Sequence, residues 1–315
     1  MKKLYLLIGL CISLLLVACN SEESKPSEDQ TTEEQSEAQT VTDSLEHEVT
    51  IPANPQKVIA PYLEDPLLAL GITPVAQWSV NDGASIQNYL QEQLKDIPTI
   101  PHDLPFEAVT SHSPDLLIIS SPDLVAGDKY DQYSKIAPTY VFGEDAADWK
   151  SKLIKVAEIF NKTEEVDQVI ADYESFVADA NKEIADAGKN GSAAAIWIVN
   201  NSIFMVSKQA SSGVVLYDGL GLQTPALVQE ISKSATSDWS QVSEESFAQL
   251  DADYLFVINS DAAGGTELLQ SSALSQIPAI KNKKVFEVDP NSSWLYSGVI
   301  ANKKIVEDTL GFLIP

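Results

Sequence analysis

The chain contains no arginine. All twenty of its basic residues are lysine, set against 46 acids, for a formal net charge of −26 over 315 residues. A surface this negative repels phosphate backbones and excludes nucleic acid as a partner. The missing guanidinium also removes the side chain best suited to bidentate grip on carboxylates and phosphates. Histidine is nearly as scarce, with only His47, His102 and His112, a poor supply for a zinc or manganese site. There is no G-x-S-x-G elbow, phosphate-cradling glycine loop or H-E-x-x-H helix, so the enzyme classes built on those motifs are excluded. Acidic pairs such as Asp123 and Asp128 could imitate glycosidase carboxylates, but acids are so abundant that such pairs are expected by chance.

What is present begins with two lysines, Lys2 and Lys3, followed by a predominantly apolar run of fourteen residues from Leu4 to Val17. That run suits a secretory signal core and is short of the roughly 20 residues a membrane span needs. It ends in Leu16-Val17-Ala18-Cys19, which resembles the lipobox of bacterial lipoproteins, where cleavage leaves a lipid-bearing N-terminal cysteine. Residues 1–18 are then a signal peptide and Cys19 the lipidation site. Cys11 lies inside the discarded peptide, so no intramolecular disulfide is possible. Residues 19–45 follow with eight acids, one lysine and almost no apolar side chain, the composition of a disordered acidic tether.

From residue 46 onward short apolar runs alternate with helical spacing, the pattern of an α/β chain. Lys57–Ala60, Pro74–Gln77 and Leu116–Ile119 read as strands of an N-terminal α/β lobe over residues 46–148. Val166, Val169, Ile170, Tyr173, Phe176, Val177, Ala180 and Ile184 lie on one stripe with no Gly or Pro between them. The spacing predicts one helix from about Lys162 to Ala187, on the order of 39 Å long, with Asn161 and Glu164 as a capping pair. Residues 149–190 thus form connecting helices, and strands resume in a C-terminal α/β lobe over residues 191–315. The fold class is α/β, two Rossmann-like lobes joined by one long rigid helix. The halves echo each other: Glu107 stands eight residues before Asp115, which opens an apolar strand, and Glu245 stands eight before Asp253, which does the same. Leu70-Gly71-Ile72-Thr73-Pro74 is likewise echoed by Leu220-Gly221-Leu222-Gln223-Thr224-Pro225.

Several pieces in order carry a family likeness: Val49–Val58, Leu67–Val75, the Ser113-Pro114-Asp115-Leu116 strand start, the long helix, and Trp294 ahead of the last helix. Together they resemble the substrate-binding lipoproteins of bacterial ABC importers, in the group for iron–siderophore, haem and corrinoid uptake. Lys57 departs from the pattern, standing where an arginine is common. The resemblance implies two lobes around a cleft, no catalysis, no cofactor, a monomer, and lipid anchoring on the outer face of the cell membrane of a Gram-positive bacterium. It implies a permease dimer as partner, docked through one exposed glutamate per lobe, Glu107 and Glu245, with Glu244 as the adjacent alternative.

Ligands of paired α/β lobes lie off the strand ends. The candidate contacts there are Tyr62, Trp78, Tyr130, Trp197, Trp239, Trp294 and Tyr296, with Ser121, Tyr133, Met205 and Asn259 nearby. Aromatics suit a bulky organic chelate because they offer area with a polar handle. With no arginine to hold an anion, the expected ligand is a ferric siderophore of hydroxamate type, neutral or cationic. The alternatives are haem, for which His102 is the candidate axial residue, a corrinoid, and, from other classes, a secreted surface hydrolase or an adhesin.

Overall fold

The computed structural model describes residues 38–143, 148–261 and 265–315. The signal segment, Cys19 and the tether up to residue 37 lie outside the described residues. Ser36–Pro315 forms one compact unit, and among the described residues no helix is long and apolar enough to cross a membrane.

The unit opens with a hairpin of β1 (Gln39–Thr42) and β2 (Glu48–Ile51). This corrects the end of the expected tether, since residues 39–45 are built into the fold. Composition could not foresee it, because polar bonds secure much of the hairpin. Gln39 Nε2 donates to the carbonyls of Glu158 and Ile159, and the Ser44 amide donates to Val141 O.

The N-terminal lobe carries β3 (Val58–Ile59), β4 (Gln77–Ser79), β5 (Thr99–Pro101), β6 (Leu116–Ile119) and β7 (Thr139–Val141). Strands β3-β6-β7 form one parallel sheet and β4-β5 another pair, with a parallel bridge from Ile59 to Ala76 between them. All four residues of β6 are buried, Leu116 and Ile118 towards one apolar cluster and Leu117 and Ile119 towards another. A parallel strand covered on both faces has that continuous apolar run, and each side chain buried there contributes about 2 kcal/mol.

The C-terminal lobe holds β8 (Ala193–Val199), β9 (Ser202–Val206), β10 (Trp239–Val242), β11 (Tyr254–Asn259) and β12 (Val285–Val288), in the order β10-β9-β8-β11-β12. Among the described residues, no strand of one lobe's sheet pairs with a strand of the other. The echo seen in the sequence has a structural counterpart. Asp115 accepts from the amides of Gln56 and Lys57, just before β3, and Asp253 accepts from the amide and hydroxyl of Ser192, just before β8. Each aspartate pins its strand to the start of the parallel neighbour.

Between the lobes, helix Thr163–Asp186 buries Val166, Ile170, Tyr173, Val177, Ala180 and Ile184. Its 24 residues span about 36 Å. The expected capping pair is not formed: Lys162 is the N-cap and gives no side-chain bond. Asn161 instead has φ 53° and terminates the preceding helix, Trp149–Ile159, where Lys162 N bonds Ala157 O and Asn161 N bonds Glu158 O. That left-handed C-terminal cap is a role asparagine tolerates well. The last helix, Val299–Leu313, packs against this strut and against the first helix, Glu64–Ala69.

Candidate functional site

Aromatic side chains from distant stretches of the chain meet beside the first helix. Tyr62 follows β3 with φ 67°, a left-handed conformation that costs a bulky residue about 1–2 kcal/mol. It is 47% exposed, one of few large hydrophobic groups left so open. Trp78 of β4 meets it edge-on at 5.2 Å between ring centroids. Tyr296, from the loop before the last helix, lies 6.3 Å from Tyr62 and 5.2 Å from Tyr89. The buried hydroxyl of Ser211 holds that loop, 2.8 and 3.0 Å from the carbonyls of Trp294 and Tyr296. Tyr62 and Tyr296 also line a cavity of about 50 Å³ together with Gln87, Trp149, Lys152 and Asp238. That is room for one or two waters. A larger hollow of about 550 Å³ runs along the long helix between Trp149 and Gly219 and shares Trp149 with the smaller cavity. We take the smaller cavity as the candidate site, because the Tyr62 and Tyr296 rings meet there and Asp238 lines it.

Two buried acids shortly after Tyr62 in the chain were not expected from the sequence. Glu64 and Asp65, at the start of the first helix, are 0% and 2% exposed. The Trp78 amide donates to Glu64 Oε1 at 2.6 Å, while Glu64 Oε2 has no hydrogen-bond partner. Burial pushes the Glu64 carboxyl up to about 7, against the lowering effect of the Trp78 amide. Asp65 accepts from the amides of Ile300 and Ala301 at the start of the last helix and from the Tyr89 hydroxyl. Burial still outweighs those bonds and raises Asp65 to about 6. Desolvation first, then the neighbouring Tyr296, Asp238 and Glu64, hold the Tyr62 phenol above its ordinary value. Tyr296 is raised by desolvation and then by Glu64.

These shifts carry a pH dependence of stability. A carboxyl whose pKa is higher folded than unfolded keeps its proton longer in the native state. Stability is therefore greatest below the unfolded value and falls as pH rises through the folded one. For Glu64 that window runs from about 4.5 to about 7. Glu64→Gln is expected to flatten the fall in the denaturation midpoint between pH 5 and 7.5, by about 1–2 kcal/mol. Urea titrations of both proteins at the two pH values measure it, and parallel profiles would refute the assignment.

Of the seven sequence-named contacts, Tyr62, Trp78 and Tyr296 come together. Trp197 and Trp239 form a second pair in the C-terminal lobe at 6.4 Å, with Trp197 Nε1 donating to Ser260 and Trp239 Nε1 buried without a partner. Asp238, next to Trp239, connects this pair to the cavity. The other two lie apart from both groups. Trp294 is 0% exposed, packed 4.9 Å from Phe256 with its indole N–H donating to Asp308. Tyr130 stacks on His47 at 3.6 Å and bonds Thr139 O beside the edge strand β7. It makes no ring contact with the Tyr62 group.

The secondary candidates also have structural work: Met205 and Tyr133 are core, Ser121 caps the turn Pro122–Val125, and Asn259 accepts from the Asp261 amide. His102 is exposed just past β5. Among the described residues no three His, Cys, Asp or Glu side chains are grouped to hold a metal ion. Glu107 and Glu245 are both exposed in the first turn of short helices, Phe106–Ser111 and Glu244–Phe247. Glu244 Oε1 accepts from the Ser271 hydroxyl.

Known proteins share this design. The chain is 26% identical to the iron(3+)-hydroxamate-binding protein YxeB of Bacillus subtilis, over 97% of this chain and 95% of that one. It is also 26% identical to the petrobactin-binding protein YclQ of the same organism, over 95% and 94%. In three dimensions it matches the FhuD protein from S. pseudintermedius with a TM-score of 0.73 at 23% identity, covering 88% of this chain and 98% of that one. The crystal structure of YclQ gives a TM-score of 0.71 at 24% identity, covering 89% and 99%. Residues 65–292, from the buried acid of the first helix to the loop before Trp294, match the periplasmic binding protein family, and the chain belongs to that family.

Proposed function

We propose that this chain is the extracytoplasmic substrate-binding protein of an ABC importer, capturing a ferric siderophore between its lobes and delivering it to a permease dimer. The observation that carries the reading is the convergence of Tyr62 and Trp78 from one lobe with Tyr296 from the other. Those rings offer a large, amphipathic contact surface without committing to a reactive group. The likeness to hydroxamate- and petrobactin-binding proteins supports a ferric siderophore. The absence of arginine favours the hydroxamate type over anionic chelates. The chain is a binder and not an enzyme, works as a monomer, needs no cofactor and is held to the membrane by lipid on Cys19. Residues 46–148 and 191–315 are the lobes and 149–190 the connection, with the β1–β2 hairpin added to the first lobe. Glu107 and Glu245 dock the permease. Glu245 is preferred to Glu244 because the latter is already engaged with Ser271.

Ligand-dependent quenching of the five tryptophans tests the reading. A ferric hydroxamate is expected to quench saturably at micromolar concentration or below, and haem is expected not to. Quenching by haem alone would move the assignment to haem and bring His102 into question. No response to any ferric chelate would refute capture of a siderophore.

A further inference from the structure

The long helix ends at Asp186 and β8 begins at Ala193, and the segment between them holds the chain's only Asn-Gly pair, Asn190-Gly191. The pair lies in no helix or strand, and Asn190 is exposed. Both main-chain carbonyls are held: Asn190 O accepts from Gln223 Nε2 at 3.3 Å and Gly191 O from the Gln223 amide at 3.0 Å. Among the described residues, nothing hydrogen-bonds the Asn190 side chain or the Gly191 N–H. The glycine is also required. A Cβ at position 191 would lie 2.8 Å from Asp253 Oδ2, and that oxygen is fixed by the amide and hydroxyl of Ser192. The aspartate that pins β8 therefore dictates a neighbour with no side chain to hinder attack by its own nitrogen.

We propose that Asn190 is a self-modification site, converting through a cyclic imide to aspartate and isoaspartate. The Gly191 nitrogen gives its proton to solvent base and attacks Asn190 Cγ. The Cγ–Nδ2 bond breaks, the amide nitrogen takes up a proton and leaves as ammonia, and a five-membered succinimide remains. Water then opens the ring. Addition at Cγ gives an ordinary aspartate, whereas addition at the former main-chain carbonyl gives isoaspartate, with Gly191 joined through Cγ. The sum is asparagine plus water to aspartate plus ammonia, with no oxidant, metal or partner. Asparagine is among the thermolabile side chains, and a following glycine hinders the ring closure least.

The products fall at the joint between the long helix and the C-terminal lobe. Isoaspartate lengthens the main chain by one carbon and removes the Asn190 carbonyl that Gln223 holds. Where not even a Cβ fits beside Asp253, that carbon displaces the end of the helix or the start of β8. The joint thus weakens as the protein ages.

Purified, folded protein aged for days in warm, mildly alkaline buffer, then digested and read by mass spectrometry against a fresh control, tests this. The peptide containing Asn190 is expected to gain the mass of an amide-to-acid exchange, localised to Asn190 by fragmentation. Asn259 and Asn291, whose side chains bond the Asp261 amide and Asn88, are expected to change several-fold less. Labelling by an isoaspartyl methyltransferase separates the two products. Aged wild type is expected to unfold at lower urea than fresh. Aged Asn190→Gln, whose longer side chain closes a ring far more slowly, is expected to match its own fresh sample. No mass gain at Asn190 in the folded protein, under conditions where the unfolded chain shows one, would overturn the site. Modification without any shift in the urea midpoint would overturn its effect on the joint.

Discussion

Cells whose only copy of this protein carries Glu107→Ala together with Glu245→Ala are expected to lose uptake of the ferric chelate entirely, while the purified double variant binds it as tightly as the wild type. Each glutamate sits exposed in the first turn of a short helix, one in each lobe, where the helix N-terminus favours a negative charge. A lone carboxylate of this kind can form a bidentate pair with a partner's guanidinium, and such pairs fix register and speed encounter. Losing one should slow transfer several-fold, and losing both leaves the lobes without paired anchors. Glu244→Ala serves as the internal comparison. Its carboxylate is tied to Ser271, so uptake should be nearly unaffected. Radioiron accumulation in cells and fluorescence titration of purified protein separate the two effects. A loss of affinity in the double variant would refute the separation of docking from capture, and loss of uptake on Glu244→Ala alone would shift the anchor by one residue.

The strut and the strands were legible because their signals are local. An unbroken apolar stripe from Val166 to Ile184 has one structural solution, and Leu116–Ile119 could only be a strand covered on both faces. The β1 strand was not legible. Val41 is its only apolar residue, and much of its docking comes from Gln39 reaching carbonyls some 120 positions away. Asn161 misled for the opposite reason: two helices meet there, and the residue that looks like the start of one is the left-handed stop of the other. The expected strand Pro74–Gln77 is entered later, at Gln77, because Ala76 makes only an isolated bridge to Ile59.

Tyr62, Trp78 and Tyr296 were singled out from sequence as aromatics near expected strand ends, although Trp78 lies inside β4 and not after a strand. Trp294 fitted the same rule and is fully buried. Its burial depends on Phe256 and Asp308, which no spacing links to it. Glu64 and Asp65 were hidden among 46 acids, and most of the acids among the described residues are exposed. A signal existed all the same. The pair lies between Ala60-Pro61-Tyr62-Leu63 and Pro66-Leu67-Leu68, and two charges inside so apolar a stretch must either face solvent or be held. The fold holds them.

What holds Asp65 yields the second large effect, on stability. Its carboxylate receives Ile300 N at 3.1 Å, Ala301 N at 2.9 Å and the Tyr89 hydroxyl at 3.2 Å. Those amides open a fifteen-residue helix, so the aspartate both caps the helix and meets the positive end of its dipole, from more than 230 residues away in sequence. Asp65→Ala removes the acceptor and leaves two amides and a buried phenol unmet, a loss of about 3–5 kcal/mol at the usual cost per group. The approach is close enough to dictate the residue opposite. A Cβ on Gly298 would lie 2.1 to 2.5 Å from the Asp65 carboxyl, so Gly298→Ala must force the first and last helices apart. Overpacking of this kind costs about 1–3 kcal/mol. If both changes act on the same contact, combining them should cost clearly less than the sum, because alanine at 65 removes the atoms that alanine at 298 strikes. Denaturant unfolding of the two single variants and the double measures this. Strict additivity, or a Gly298→Ala protein as stable as the wild type, would show that the first and last helices are not joined at this point. The joint also ties the first helix to the last: any movement that parts them leaves the Asp65 carboxyl and two amides unmet.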